Sequence, residues 1–224
     1  MMEFDAVAFD IDGTLYSFDS IKRPYLFRTW YRVRSLRTFL RARQAMRLEN
    51  FQSPEEMLAF QDEWVASRLN ITREKARQRF ERLMILDLAK SLSPKHQRFG
   101  LTDFLDQLVA ANKKILLISD LPLGRKIDAL ALANYPWHAK IAADDVGVLK
   151  PGRAIFEAAL NEAGCEPAKT IYVGDREDTD GQGAIGMGMP FIQMATQSRR
   201  TMDDFEKQPW PVFQDFKQVA AYLF

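Results

Sequence analysis

The chain has 224 residues, 47% hydrophobic and 27% charged, a balance that supports a packed core and excludes a disordered polypeptide. A formal net charge of +1 supplies no overall field for nucleic acid or an anionic surface, and the single cysteine, Cys165, excludes an internal disulfide framework. No apolar run approaches the roughly 18 residues that span a bilayer, and the start, Met1-Met2-Glu3-Phe4-Asp5, is acidic and unlike a signal peptide. A soluble cytoplasmic protein is expected, with neither membrane nor nucleic acid as a partner.

In chain order, residues 4–9 read as a buried strand that ends in two carboxylates, Asp10 and Asp12, with Gly13 next to turn the backbone. A polar connector at residues 17–20 follows, and residues 21–91 change to helical periodicity. Leu26, Trp30, Val33, Leu36 and Leu40 form an apolar stripe, which makes Trp30, Tyr31, Phe39 and Phe51 packing residues. Ser53-Pro54-Glu55-Glu56 and Thr72-Arg73-Glu74-Lys75 are helix starts, each with a hydroxyl at the cap. Ser93-Pro94-Lys95-His96 breaks the pattern. From residue 100 strands and helices alternate: helix 102–112, strand 114–119, helix 124–134, strand 139–142, helix 152–163, strand 170–173, strand 190–194 and helix 216–223. That rhythm implies an α/β fold, a doubly wound parallel sheet. Residues 1–16 and 97–224 are the expected core domain, and residues 17–96 an inserted all-helical cap hinged at its two connectors. Cys165 has no base beside it in sequence and reads as a plain packing or surface residue.

Ligands of an open parallel sheet bind beyond the carboxyl ends of its strands. There the sequence places Asp10 and Asp12 after the first strand, Ser119 and Asp120 after residues 114–118, and Asp175 with Asp178 and Asp180 after residues 170–173. Lys150-Pro151 stands where a helix opens, the proline in its first turn. Carboxylates, a hydroxyl and a lysine on one rim are what phosphoryl transfer asks for: a nucleophile, a proton donor, a cation site and donors to the equatorial oxygens.

Asp10-Ile11-Asp12-Gly13-Thr14, Ser119, Lys150-Pro151 and Gly174-Asp175 through Asp180 resemble, in order and spacing, the four motifs of the haloacid dehalogenase superfamily. The resemblance covers residues 3–15 and roughly 101–194, and the helical insert stands where that family carries a C1-type cap. It implies a Rossmann-like core, a Mg²⁺ ion and phosphatase activity on a small phosphorylated metabolite. By the same resemblance Asp10 is the nucleophile and a metal ligand, and Asp12 is the general acid and base with its carbonyl on the metal. Ser119 and Lys150 act on the phosphoryl group. Asp175 binds the metal, with Asp180, or alternatively Asp178, in support. Substrate contacts fall to Thr14, Ser119, Asp120 and Lys150. An aspartate at position 12 points to phosphate esters and away from carbon–halogen bonds. Sugar phosphates, phosphoglycolate and nucleoside monophosphates all fit, as does a phosphomutase on the same core.

Asp120 departs from the family, which commonly carries a neutral residue there. It is expected to point outward as a helix cap, or to pair with a cation such as Arg125. Residues 22–47 hold nine basic side chains, among them Arg37, Arg41, Arg43 and Arg47. They read as a solvated face, or as a means of steering and selecting an anionic substrate. A catalytically weak scaffold that binds an anionic partner through these arginines is the competing reading.

Overall fold

The computed structural model describes residues 3–195 and 209–224; Met1 and Met2 of the N-terminal reading lie outside them. Strand β1 (Ala6–Phe9) is buried at all four positions, as a strand covered on both faces requires. Four helices follow: α1 (Phe18–Thr29), α2 (Val33–Met46), α3 (Pro54–Leu69) and α4 (Arg73–Phe80), the last running on as a π-helical turn, Glu81–Asp87. Ser53 and Thr72 accept hydrogen bonds from the amides of Glu56 and Lys75, each at 3.2 Å, so both expected caps form.

The chain then alternates through α5 (Leu101–Ala110), β2 (Lys114–Ser119), α6 (Gly124–Ala129), β3 (Trp137–Ala142) and α7 (Ala143–Val146). It continues through α8 (Arg153–Ala163), β4 (Thr170–Gly174), α9 (Gln182–Gly186), β5 (Phe191–Met194), β6 (Val212–Phe213) and α10 (Phe216–Leu223). The six strands form one parallel sheet in the order β3-β2-β1-β4-β5-β6. Alternate residues supply opposite faces: Val7, Phe9, Ile115 and Leu117 pack with Phe104 and Phe216, while Ala6, Ala8, Leu116 and Ile118 pack with Phe156 and Ala159. The fold is therefore the expected doubly wound α/β sheet. Phe9 is level with Leu117 and Val173, so Asp10 emerges beside the ends of β2 and β4, where the strand order reverses.

Three local expectations change. The apolar stripe does not run through one helix, because a 3₁₀ turn, Trp30–Arg32, separates α1 from α2 and resets the helical phase. Leu26, Trp30, Tyr31 and Leu40 are exposed, and α2 buries Leu36, Phe39, Ala42, Arg43 and Met46 instead. The helix expected over 124–134 stops at Ala129, and Ala131 then takes a left-handed conformation (φ 55°). Pro151 does not open α8, which starts at Arg153 after a cis Lys150–Pro151 bond.

Candidate active site

Asp10 is the first residue beyond β1, and its amide bonds Val173 O at 2.9 Å. Its two carboxylate oxygens are held differently: Oδ1 accepts from Lys150 Nζ at 2.6 Å, and Oδ2 from Thr14 Oγ1 at 2.9 Å. Thr14, expected among the substrate contacts, is buried and spends its hydroxyl on orienting Asp10. Lys150 Nζ also donates to Asp180 Oδ1 at 2.6 Å and to Tyr172 OH at 3.2 Å. Carboxylate oxygens of Asp10, Asp175 and Asp180 lie within 4.8 Å of one another. Such an approach needs a backbone without side chains beside it. A Cβ on Gly13 (φ +103°) would stand 2.3 Å from Asp175 Oδ2, and one on Gly174 would stand 2.5 Å from Asp180 Cβ.

One lysine is too little positive charge for the trio. Burial, with Asp180 and Asp12 adding to it and Lys150 opposing, pushes Asp10 from 3.8 up to about 7. Burial and the neighbouring Asp10 and Asp180 drive Asp175 well above the usual carboxylate range, and its Oδ1 is buried with no hydrogen-bond partner among the described residues. Burial would strip Lys150 of its proton, but Asp10 and Asp180 more than reverse this and hold it charged. Clustered hard oxygens, an orphaned buried one among them, fit a divalent cation such as Mg²⁺.

Asp12, two residues on, faces other partners. Its Oδ1 accepts from Tyr16 OH at 2.7 Å, and its Oδ2 from Lys126 Nζ, which also reaches Ser119 Oγ at 3.3 Å. Its carboxylate therefore stands apart from the Asp10–Asp175–Asp180 trio. Burial and the adjacent Asp12 raise the Tyr16 phenol well above its ordinary range, so it remains a donor. Sequence reasoning missed Lys126 and Tyr16. The available signal for Lys126 was its place in the first turn of the helix that follows Ser119; within Gly124-Arg125-Lys126 it looks like one more surface cation. Tyr16 lies four residues after Asp12, in the turn that Gly13 starts.

Asp120 pairs with a cation, as the second expectation had it, but the cation is Arg47, which follows α2, and not the exposed Arg125; it does not point outward to cap α6. Its other oxygen accepts from the Lys150 amide at 2.9 Å, while Arg47 Nε donates to Lys150 O at 2.9 Å. One aspartate and one arginine thus clasp the Lys150 segment between the helical block and the sheet. Burial would raise the Asp120 carboxyl, but Lys150, Arg47 and Arg43 outweigh it and hold it below the usual range. Arg43 is buried, with Nη1 3.2 Å from Gln61 Oε1 and 3.7 Å from Asp144; Arg37, on the expected stripe, is exposed. Asp178 is also exposed and bonds Arg176 Nε at 3.0 Å, so of the two alternatives Asp180 joins the cluster.

A family model described as haloacid dehalogenase-like hydrolase matches residues 4–188. Over 86 residues the chain is 40% identical to the glyceraldehyde 3-phosphate phosphatase of Methanothermobacter thermautotrophicus, covering 37% of this chain and 38% of that protein. It is 25% identical over 200 residues to the Escherichia coli pyrimidine 5'-nucleotidase YjjG, 84% of each. The chain spans less than half the length of the first curated relatives it matches. Among solved structures, the putative hydrolase YfnB of Bacillus subtilis superposes with a TM-score of 0.70 at 12% identity over 99% of both chains, a likeness of fold.

Proposed function

The chain belongs to the haloacid dehalogenase-like hydrolases, and within that family we propose that it is a Mg²⁺-dependent phosphatase of a small phosphorylated metabolite, acting through an aspartyl-phosphate on Asp10. The observation that carries this reading is the arrangement around Asp10. One oxygen is pinned by Lys150 and the other by Thr14, beside an Asp175 oxygen with no partner. Similarity to relatives named for phosphate esters supports the same class of substrate.

In this reading Asp10 attacks phosphorus and the ester oxygen departs. Asp12 gives that oxygen a proton, then takes one from the water that hydrolyses the acyl phosphate. Ser119 donates to an equatorial oxygen, and Lys150 neutralises charge on Asp10 and on the phosphoryl group. A Mg²⁺ ion held by Asp10, Asp175 and the Asp12 carbonyl, with Asp180 supporting, would offset the charge of nucleophile and phosphate. Residues 17–96 act as the cap, joined to the core by the Arg47–Asp120 pair and closing over the substrate. Mg²⁺-dependent release of phosphate from 4-nitrophenyl phosphate, abolished in Asp10→Asn, is the test. Equal activity, or equal inactivity over a broad panel of metabolite phosphates, in wild type and Asp10→Asn would refute the reading.

A further inference from the structure

We propose that Lys126 is a positioning residue of this site, holding the Asp12 carboxylate and the Ser119 hydroxyl in the orientations that ester cleavage needs; the inference rests on the phosphatase reading above. Lys126 is 1% exposed, and its ammonium meets Asp12 Oδ2 and Ser119 Oγ. An ammonium taken out of water is retained only where charge and hydrogen bonds replace its hydration. Here that replacement comes from one side chain given a proton-transfer role and another given a phosphoryl-binding role.

Two geometric consequences follow. Ser119 Oγ accepts from Lys126 Nζ at 3.3 Å and from the Leu121 amide at 3.2 Å, so both of its lone pairs are engaged. Its own O–H is left to donate, which is the polarity a phosphoryl oxygen requires. Asp12 is gripped at both oxygens, by Tyr16 at 2.7 Å and by Lys126, which fixes the plane of the carboxyl. Lys126 and Lys150 also divide the acids between them: Lys150 serves Asp10 and Asp180, and Lys126 serves Asp12. With Asp12 ionised, as after it has given its proton, two ammonium groups against Asp10, Asp12, Asp175 and Asp180 leave two negative charges, which one divalent cation offsets.

The experiment compares two aryl esters with Mg²⁺ present, using kcat/KM, which reports formation of the aspartyl-phosphate and not its hydrolysis. Phenolate leaves poorly without a proton, whereas 4-nitrophenolate needs little help. Lys126→Met is expected to lower kcat/KM on phenyl phosphate by about 100-fold and on 4-nitrophenyl phosphate by less than about tenfold, within the range for a misplaced general acid. Lys126→Arg, which keeps the charge and the donors, should recover at least part of the difference. Lys126→Gln replaces Lys126→Met if the latter does not fold. Unchanged activity, or equal losses on the two esters, overturns the proposal. A wild type that cleaves neither these esters nor any member of a broad panel of metabolite phosphates sinks the phosphatase reading itself. The placement of Lys126 is then decided by the thermal shift that Mg²⁺ with orthovanadate produces, expected to shrink in Lys126→Met and overturning the proposal if it does not.

Discussion

Asp10→Asn should abolish turnover and yet stabilise the protein when no divalent cation is present. Between its ordinary value of 3.8 and about 7, the buried carboxyl of the folded chain keeps a proton that the unfolded chain has already released. Folding stability therefore falls as pH rises through that window, and the loss is complete above about 7. At about 1.4 kcal/mol for each pH unit, the rise sets a ceiling of about 4 kcal/mol. For a chain of this length that corresponds to roughly 10 °C in Tm. Asp175, driven well above the usual carboxylate range by burial and by Asp10, carries the decline to higher pH. The assay is thermal unfolding in EDTA and in Mg²⁺ at several values from pH 5 to 8, for wild type and for Asp10→Asn. In EDTA the wild-type Tm should drop steadily relative to the variant, and Mg²⁺ should cancel most of the drop. A wild-type Tm that runs parallel to that of Asp10→Asn across this range in EDTA would refute the electrostatic account of the site.

Four further outcomes are expected. Gly13→Ala places a Cβ 2.3 Å from Asp175 Oδ2 at a positive φ, so phosphate release should be lost, with about 1–3 kcal/mol of stability removed in urea unfolding. Arg47→Ala leaves Asp120 largely buried without its guanidinium. It should cost about 1–3 kcal/mol, and a double-mutant cycle with Asp120→Asn should return a coupling of about 0.5–3 kcal/mol. Asp178→Asn removes an exposed pair with Arg176 worth less than about 1 kcal/mol and should leave kinetics unchanged. Asp180→Asn weakens the hold on Lys150 and should depress kcat on 4-nitrophenyl phosphate.

The most legible features were those set by short spacing. Asp10 and Asp12 flank one residue at the end of an apolar strand, and the Ser53 and Thr72 caps lie three residues from the amides they accept from. Alternation of strand and helix was enough to place Ser119 and Asp175 on one rim, because parallel strands end on the same side of a sheet. Legibility failed where the partner is distant. Lys126 and Asp12 are 114 residues apart, and Arg47 and Asp120 are 73 apart, so neither pair leaves a local pattern. Periodicity also failed at Trp30–Arg32, since a stripe assumes an unbroken helix and one tight turn shifts its phase.

The amino-acid sequence by itself determined the class of fold, the rim on which the acids gather and Asp10, Asp12 and Asp175 among them, while the choice of Asp180 over Asp178 waited for the structure. Those follow from strand period, Gly13 and the order of motifs, all local or near-local quantities. Only the tertiary structure decided how the charges are partnered. Lys150 goes to Asp10 and Asp180, Lys126 to Asp12, and Arg47 to Asp120. Partnering depends on burial and on distances across the sheet, and a buried charge takes whichever counter-charge the packing brings within reach. That is why two carboxylates separated by a single residue stand in different electrostatic surroundings.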